Sequence, residues 1–145
     1  MHYADKLQKY QRQAKYPHMQ PRDAEVWSAF IEQHPDAYDI VAYDVGVGDG
    51  PNFDPTVNLE SGGDNFFNYQ HKIDVVAFKG DLCDVIEIKP TATMAAMGQA
   101  KGYASLFAAD FPDVKDIRPV VIARTPIANL DKLMKATGVA VLMVH

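Results

Sequence analysis

A chain of 145 residues has enough length for one hydrophobic core and too little for two, and 48% hydrophobic with 23% charged content is ordinary for a globular domain. No apolar run approaches the ~20 residues that cross a bilayer, and the polar N-terminus lacks a signal-peptide core, so a cytoplasmic protein without a membrane partner is expected. A net charge of -5 argues against a broad nucleic-acid footprint, and the single cysteine, Cys83, excludes an internal disulfide and reads as inert packing.

The charge is unevenly spread. Lys6, Lys9, Arg12, Lys15 and Arg22 face one acid, Asp5, at the start of the chain, whereas residues 23–60 hold nine acids and no lysine or arginine. Residues 3–16 place Tyr3, Leu7, Tyr10 and Ala14 at helical spacing, which predicts a basic N-terminal helix stopped by Pro17 and Pro21. Residues 1–21 are therefore expected to be a helical arm, ahead of one domain over 22–145. A second helix over about 22–33 would bury Val26, Trp27, Phe30 and Ile31, with Asp23 and Glu25 in its first turn and His34-Pro35 ending it. Glu25 or Glu32 could reach a metal, although solvated helix-surface glutamates are far commoner.

The β-branched and aromatic run Tyr38–Val47 reads as a strand, with Gly46, Gly48 and Gly50 at its exit. No helix pattern and no Gly-Lys-Ser/Thr follow these glycines, so a nucleotide-phosphate loop is discounted. Residues 48–69 form a long connection rich in Gly, Pro and Asn, whose Phe53, Phe66, Phe67 and Tyr69 are read as anchors rather than base-stacking groups.

The next stretch organises the chain. Residues 72–79 and 82–89 are rich in Val, Ile and Phe and flank Gly80-Asp81, a Gly-X pair suited to a two-residue hairpin turn. If Lys79 faces Leu82, Asp74 falls opposite Glu87 and Lys72 opposite Lys89, on the face continued by Val76, Phe78, Cys83 and Val85. Cross-strand Cβ atoms lie about 4.5–5.5 Å apart, where like charges repel. Two carboxylates at the rim of an apolar face need a cation, and a hard divalent ion such as Mg²⁺, keeping several waters, fits one or two carboxylates.

Beyond Pro90, a helix over about 92–110 is expected, capped by Thr91 or Thr93, with Gly98 and Gly102 offset by close packing on the sheet. Gln99 and Tyr103 share one face of it. A strand over 117–124 needs Pro119 at an edge or strand start. A helix over 128–137, closed by Gly138, and a buried strand over 139–144 complete an α/β chain.

Asp74, then Glu87-Ile88-Lys89, then a helix bearing Gln99-x-x-x-Tyr103 resembles the PD-(D/E)XK nuclease superfamily, in particular its exonuclease-like branch. The resemblance covers Arg22 to about Arg124 and implies a restriction-endonuclease-like αβββαβ core. That core is a mixed central sheet flanked by helices, here with an N-terminal helix and a C-terminal helix-strand extension. The proline that precedes the family's Asp is Ile73 here, and the His-bearing first-helix motif of part of the branch has no counterpart.

The resemblance implies that Asp74, Glu87 and the backbone carbonyl of Ile88 hold Mg²⁺, with Mn²⁺ as substitute, for hydrolysis of DNA. It implies that Lys89 orients or deprotonates the attacking water, while Gln99 and Tyr103 brace the site or contact a phosphate. With little positive surface, grip on DNA would come from a protein partner or a homo-oligomer. The competing reading is the same fold as a non-catalytic assembly or binding module, as in a phage or mobile-element component.

Overall fold

The computed structural model describes residues 2–48 and 71–145. Its middle layer is one mixed sheet of six strands in sequence order. β1 (Gln8–Lys9), β2 (Ile40–Val47), β3 (His71–Lys79) and β4 (Leu82–Ile88) pair antiparallel, and β5 (Ile117–Ala123) and β6 (Ala140–Met143) add in parallel. Parallel addition requires a crossover at each step. Helix α2 (Met94–Asp110) joins β4 to β5 and α3 (Leu130–Thr137) joins β5 to β6, while α1 (Pro21–Gln33) precedes β2. This is the α/β architecture expected, with its αβββαβ core in order.

Each helix starts and stops for a local reason. Pro21 occupies the first turn of α1, where a missing N–H costs nothing, and Val26, Trp27, Phe30 and Ile31 form its buried stripe. Thr93 caps α2 by accepting the Ala96 N–H at 3.0 Å, and Gly138 closes α3 in the left-handed region at φ 73°. The α1 side of the sheet buries Trp27, Phe30, Tyr43, Val75, Ile86 and Ile88 together, and the Trp27 indole N–H donates to the Tyr43 hydroxyl at 2.8 Å. The opposite side packs Val45, Ile73, Val76, Cys83, Val85 and Phe107 beneath α2.

The hairpin has the predicted register, from Val75 opposite Ile86 to Lys79 opposite Leu82, with Gly80 at φ 56° in its turn. Pro119 sits opposite Val85 on β4, and pairing to β6 begins only at Val120, so the proline is locally at an edge. Phe53, Phe66, Phe67, Tyr69 and the rest of the predicted loop from residue 49 to 69 lie outside the described residues.

Three expectations are corrected. The N-terminal helix is absent: Tyr3–Lys6 is one 3-10 turn, Gln8–Lys9 is an edge strand, and among the described residues no α-helix precedes Pro21. The reason is that its tyrosines serve opposite faces of the sheet. Tyr3 packs on Phe78, Phe107 and Phe111 on the α2 side, while Tyr10 packs on Trp27 and Tyr38 on the α1 side. One helical stripe cannot do both, so the segment wraps round the sheet edge, and Tyr10 and Tyr16 belong to the α1-side core rather than to a separate arm. Second, Gly98 and Gly102 are exposed, and Ala96, Ala100 and Ala104 are the small residues that meet the sheet. Third, the last strand is an edge: Ala140, Leu142 and Met143 are only half-buried.

Candidate metal centre

The site lies where β3 leaves β4. Ala42 packs on the α2 side of the sheet and Tyr43 on the α1 side, yet Val45 and Val47 both return to the α2 side, so strand alternation slips by one residue at Asp44. Asp44 takes φ 53°, a left-handed conformation that aspartate tolerates better than most side chains. The same slip occurs on β3, where Ile73 and Val76 share the α2 side and Val75 does not. Tyr43 pairs with Val75 and Val45 with Ile73, which puts the two kinks, at Asp44 and Asp74, side by side. The N-terminal segment buttresses them: Lys6 Nζ donates to the Asp44 carbonyl, and His18 Nε2 lies 3.5 Å from the Asp44 carboxylate.

Beyond the kink the ladder of β3 with β4 ends at Val75–Ile86. The freed Ile88 N–H donates instead to Asp74 Oδ2 at 2.9 Å, so a carboxylate takes the place of the next rung. Lys72 pairs with Gly46 of β2, and the Lys89 N–H donates to the Ile122 carbonyl at 3.1 Å, so the expected Lys72–Lys89 pair does not form. The Asp74 charge still acts on Glu87, raising it.

Glu87 is 3% exposed, and among the described residues its Oε1 has no hydrogen-bond partner. Burial, then the Asp74 charge, push its carboxyl up to about 8, against the pull of Lys89 and the Asp74 amide. Asp74 is also raised, by burial first and further by Asp23 and Asp44, while the Ile88 amide and Lys89 oppose the shift. A buried Glu87 and a half-buried Asp74 thus share one lysine, and one Glu87 oxygen is left unsatisfied among the described residues, an arrangement that a divalent cation relieves.

The donor chemistry fits a hard ion. Among the described residues no three His, Cys, Asp or Glu side chains cluster as ligands, so the side-chain donors are two carboxylates. Mg²⁺ suits such a sparse set because it retains water in the rest of its octahedron.

Of the other residues singled out, Tyr103 is half-buried on α2, raised by burial and then by the charges of Glu87 and Asp74, with its ring 5.4 Å from that of His71. Gln99 is exposed one turn earlier and makes no hydrogen bond to either carboxylate among the described residues. Glu25 and Glu32 are exposed, and Arg12 pairs with Glu32. The acid that α1 does bring is Asp23, half-buried in the first turn, raised by burial and lowered by Lys89 and Arg22. Its position three residues before Val26 places it at the end of the buried stripe, a signal present in the sequence beyond its favourable charge on the helix dipole.

The sequence matches no protein-family model and no curated protein. Solved structures do match. A repair endonuclease from Pyrococcus abyssi superposes with a TM-score of 0.52 at 16% identity, covering 92% of this chain and 50% of that one. EndoMS in its complex with dsDNA superposes with a TM-score of 0.50 at 14% identity, covering 92% and 49%. The fold is restriction-endonuclease-like. This chain spans about half the length of those two proteins. Within the restriction-endonuclease-like frame, the helix before β2, the β2–β3–β4 antiparallel unit and the α2 crossover are the parts that surround Asp74 and Glu87.

Proposed function

We propose that the chain is a Mg²⁺-dependent nuclease that hydrolyses phosphodiester bonds in DNA. The observation that carries the reading is the unsatisfied, buried Glu87 Oε1 beside an Asp74 held by the Ile88 amide. It is supported by a fold shared with a repair endonuclease and with a protein solved on dsDNA. Asp74, Glu87 and the Ile88 carbonyl would hold the ion, with Mn²⁺ as a substitute. When bound, such an ion polarises the phosphoryl oxygens and makes a coordinated water more acidic.

The remaining work falls to this chain. Lys89, placed beside both carboxylates, orients or deprotonates the attacking water and opposes negative charge as it builds on the phosphate. Tyr103, whose hydroxyl feels the charges of the same carboxylates, would with Gln99 contact a phosphate as in the exonuclease-like branch. No helix among the described residues is long and apolar enough to cross a membrane.

The test pairs cleavage of end-labelled DNA with metal-dependent thermal shift. Asp74→Asn and Lys89→Gln should each abolish Mg²⁺-dependent cleavage, and only Asp74→Asn should lose the Mg²⁺-induced rise in Tm. Cleavage unchanged in both variants would place the chemistry elsewhere. A Mg²⁺ shift without cleavage of any DNA form would favour the binding-module reading.

A further inference from the structure

Asp84 is the other buried acid of the described residues, and the proposed cleavage makes no use of it. It precedes Glu87 by three strand positions and so lies on the opposite face of the sheet, with Ile86 and Ile88, towards α1. Its carboxylate is fully engaged. Tyr38 donates its hydroxyl to Oδ2, and Arg118 donates Nε to Oδ1 at 3.0 Å and Nη2 to Oδ2 at 2.7 Å. Such a two-point grip fixes the plane of a guanidinium. Yet 51% of the Arg118 side chain remains exposed.

Arg118 faces a groove of about 620 Å³ whose lining is mostly apolar, with Phe30, Leu82 and Leu142 prominent. His34 and Lys79, the latter paired with Asp39 at 3.3 Å, add nitrogen donors, and among the described residues the one acid of the lining is Asp84, already held by Arg118. The groove is also bordered by Val141, Leu142 and Met143 of β6. Val141 and Met143 pack on the α3 side and Leu142 on the α1 side, so all three border one groove only where the β6 backbone forms part of its wall. Among the described residues β6 ends the sheet, and residues 139–144 carry no charge and no proline, the usual devices against edge pairing.

We propose that this groove binds an extended segment of a partner protein, which adds a strand along β6 and presents a carboxylate, flanked by aliphatic side chains, to Arg118. Strand addition supplies affinity through the backbone, and one fixed arginine in an apolar trough supplies selectivity. The absence of a free acid in the lining makes the carboxylate the complementary group.

The test is fluorescence anisotropy with a labelled heptapeptide SLVEVLS and its uncharged counterpart SLVQVLS. The acidic peptide should bind at least about tenfold tighter, and Leu142→Lys should abolish its binding. Arg118→Gln alone leaves Asp84 charged and buried, so the double variant Asp84→Asn, Arg118→Gln is the folded control. It should erase the preference for the acidic peptide. DNA cleavage should be as in wild type throughout. Equal binding of the two peptides, or none up to about 1 mM, overturns the proposal. So does a wild type that sediments as a dimer and becomes monomeric with Leu142→Lys, since the occupant would then be a second copy.

Discussion

Replacing Glu87 with glutamine tests the charge balance of the candidate metal centre without touching its shape. Glu87 moves from an ordinary 4.5 to about 8 in the folded protein, chiefly through burial. In the unfolded chain its proton leaves near 4.5, whereas the folded protein keeps it until about 8. Between those values the folded state binds more protons, and stability falls as pH rises, by up to about 1.4 kcal/mol per pH unit. The full span caps the loss at about 5 kcal/mol, and sharing of the proton with Asp74 reduces the part that belongs to Glu87. The Glu87→Gln variant has no such proton to lose. In urea unfolding with EDTA at pH 5, 6.5 and 8, wild type should weaken relative to the variant as pH rises. At pH 8 the variant should be more stable by a few kcal/mol. Saturating Mg²⁺ at pH 8 should recover that deficit in wild type and leave the variant unmoved. A variant less stable than wild type at pH 8 without metal, or a difference independent of pH, would refute the claim that Glu87 is buried at a cost that a cation relieves.

Other outcomes follow from the packing. Gly98→Ala and Gly102→Ala fill open positions on α2 and should each raise stability in urea by about 0.5–1 kcal/mol. Trp27→Phe removes the indole donor to the buried Tyr43 hydroxyl and should lower stability by about 1–3 kcal/mol, read in the same assay. Burial pushes the Cys83 thiol up to about 12, so a disulfide reagent at pH 8 should modify it only at the rate of global unfolding. Rapid labelling under native conditions would show that α2 opens away from the sheet.

The hairpin was legible because its information is local. Gly80 sets the turn, the turn sets the register, and the register brings Asp74 and Glu87 to neighbouring positions on adjacent strands. What the register could not convey is that the rungs stop at Val75–Ile86. The separation of the strands depends on Asp44, a residue about thirty positions upstream whose left-handed backbone kinks β2 and, through the ladder, β3. Asp74 therefore reaches its partner through the Ile88 amide rather than across a ladder. The glycines of α2 misled for a related reason: small residues mark close packing only on the face that meets the sheet, and Gly98 and Gly102 fall on the other.

The N-terminal segment shows where pattern reading fails in principle. Helical spacing of Tyr3, Leu7 and Tyr10 assumes that one surface receives all three, but a chain that passes round a sheet edge meets two surfaces in turn. One of its bases, Lys6, holds the Asp44 carbonyl behind the candidate metal centre, where His18 also approaches the Asp44 carboxylate, while Arg12 turns to Glu32. Asp23 enters from the other side by the same logic, since the burial of Val26 and Trp27 turns the start of α1 towards Lys89. The acids outside the pair that hold Asp74 and Glu87 up thus come from α1 (Asp23) and β2 (Asp44), not from the hairpin itself. A strong local motif can locate such a centre. The charges that tune it are assembled by the fold.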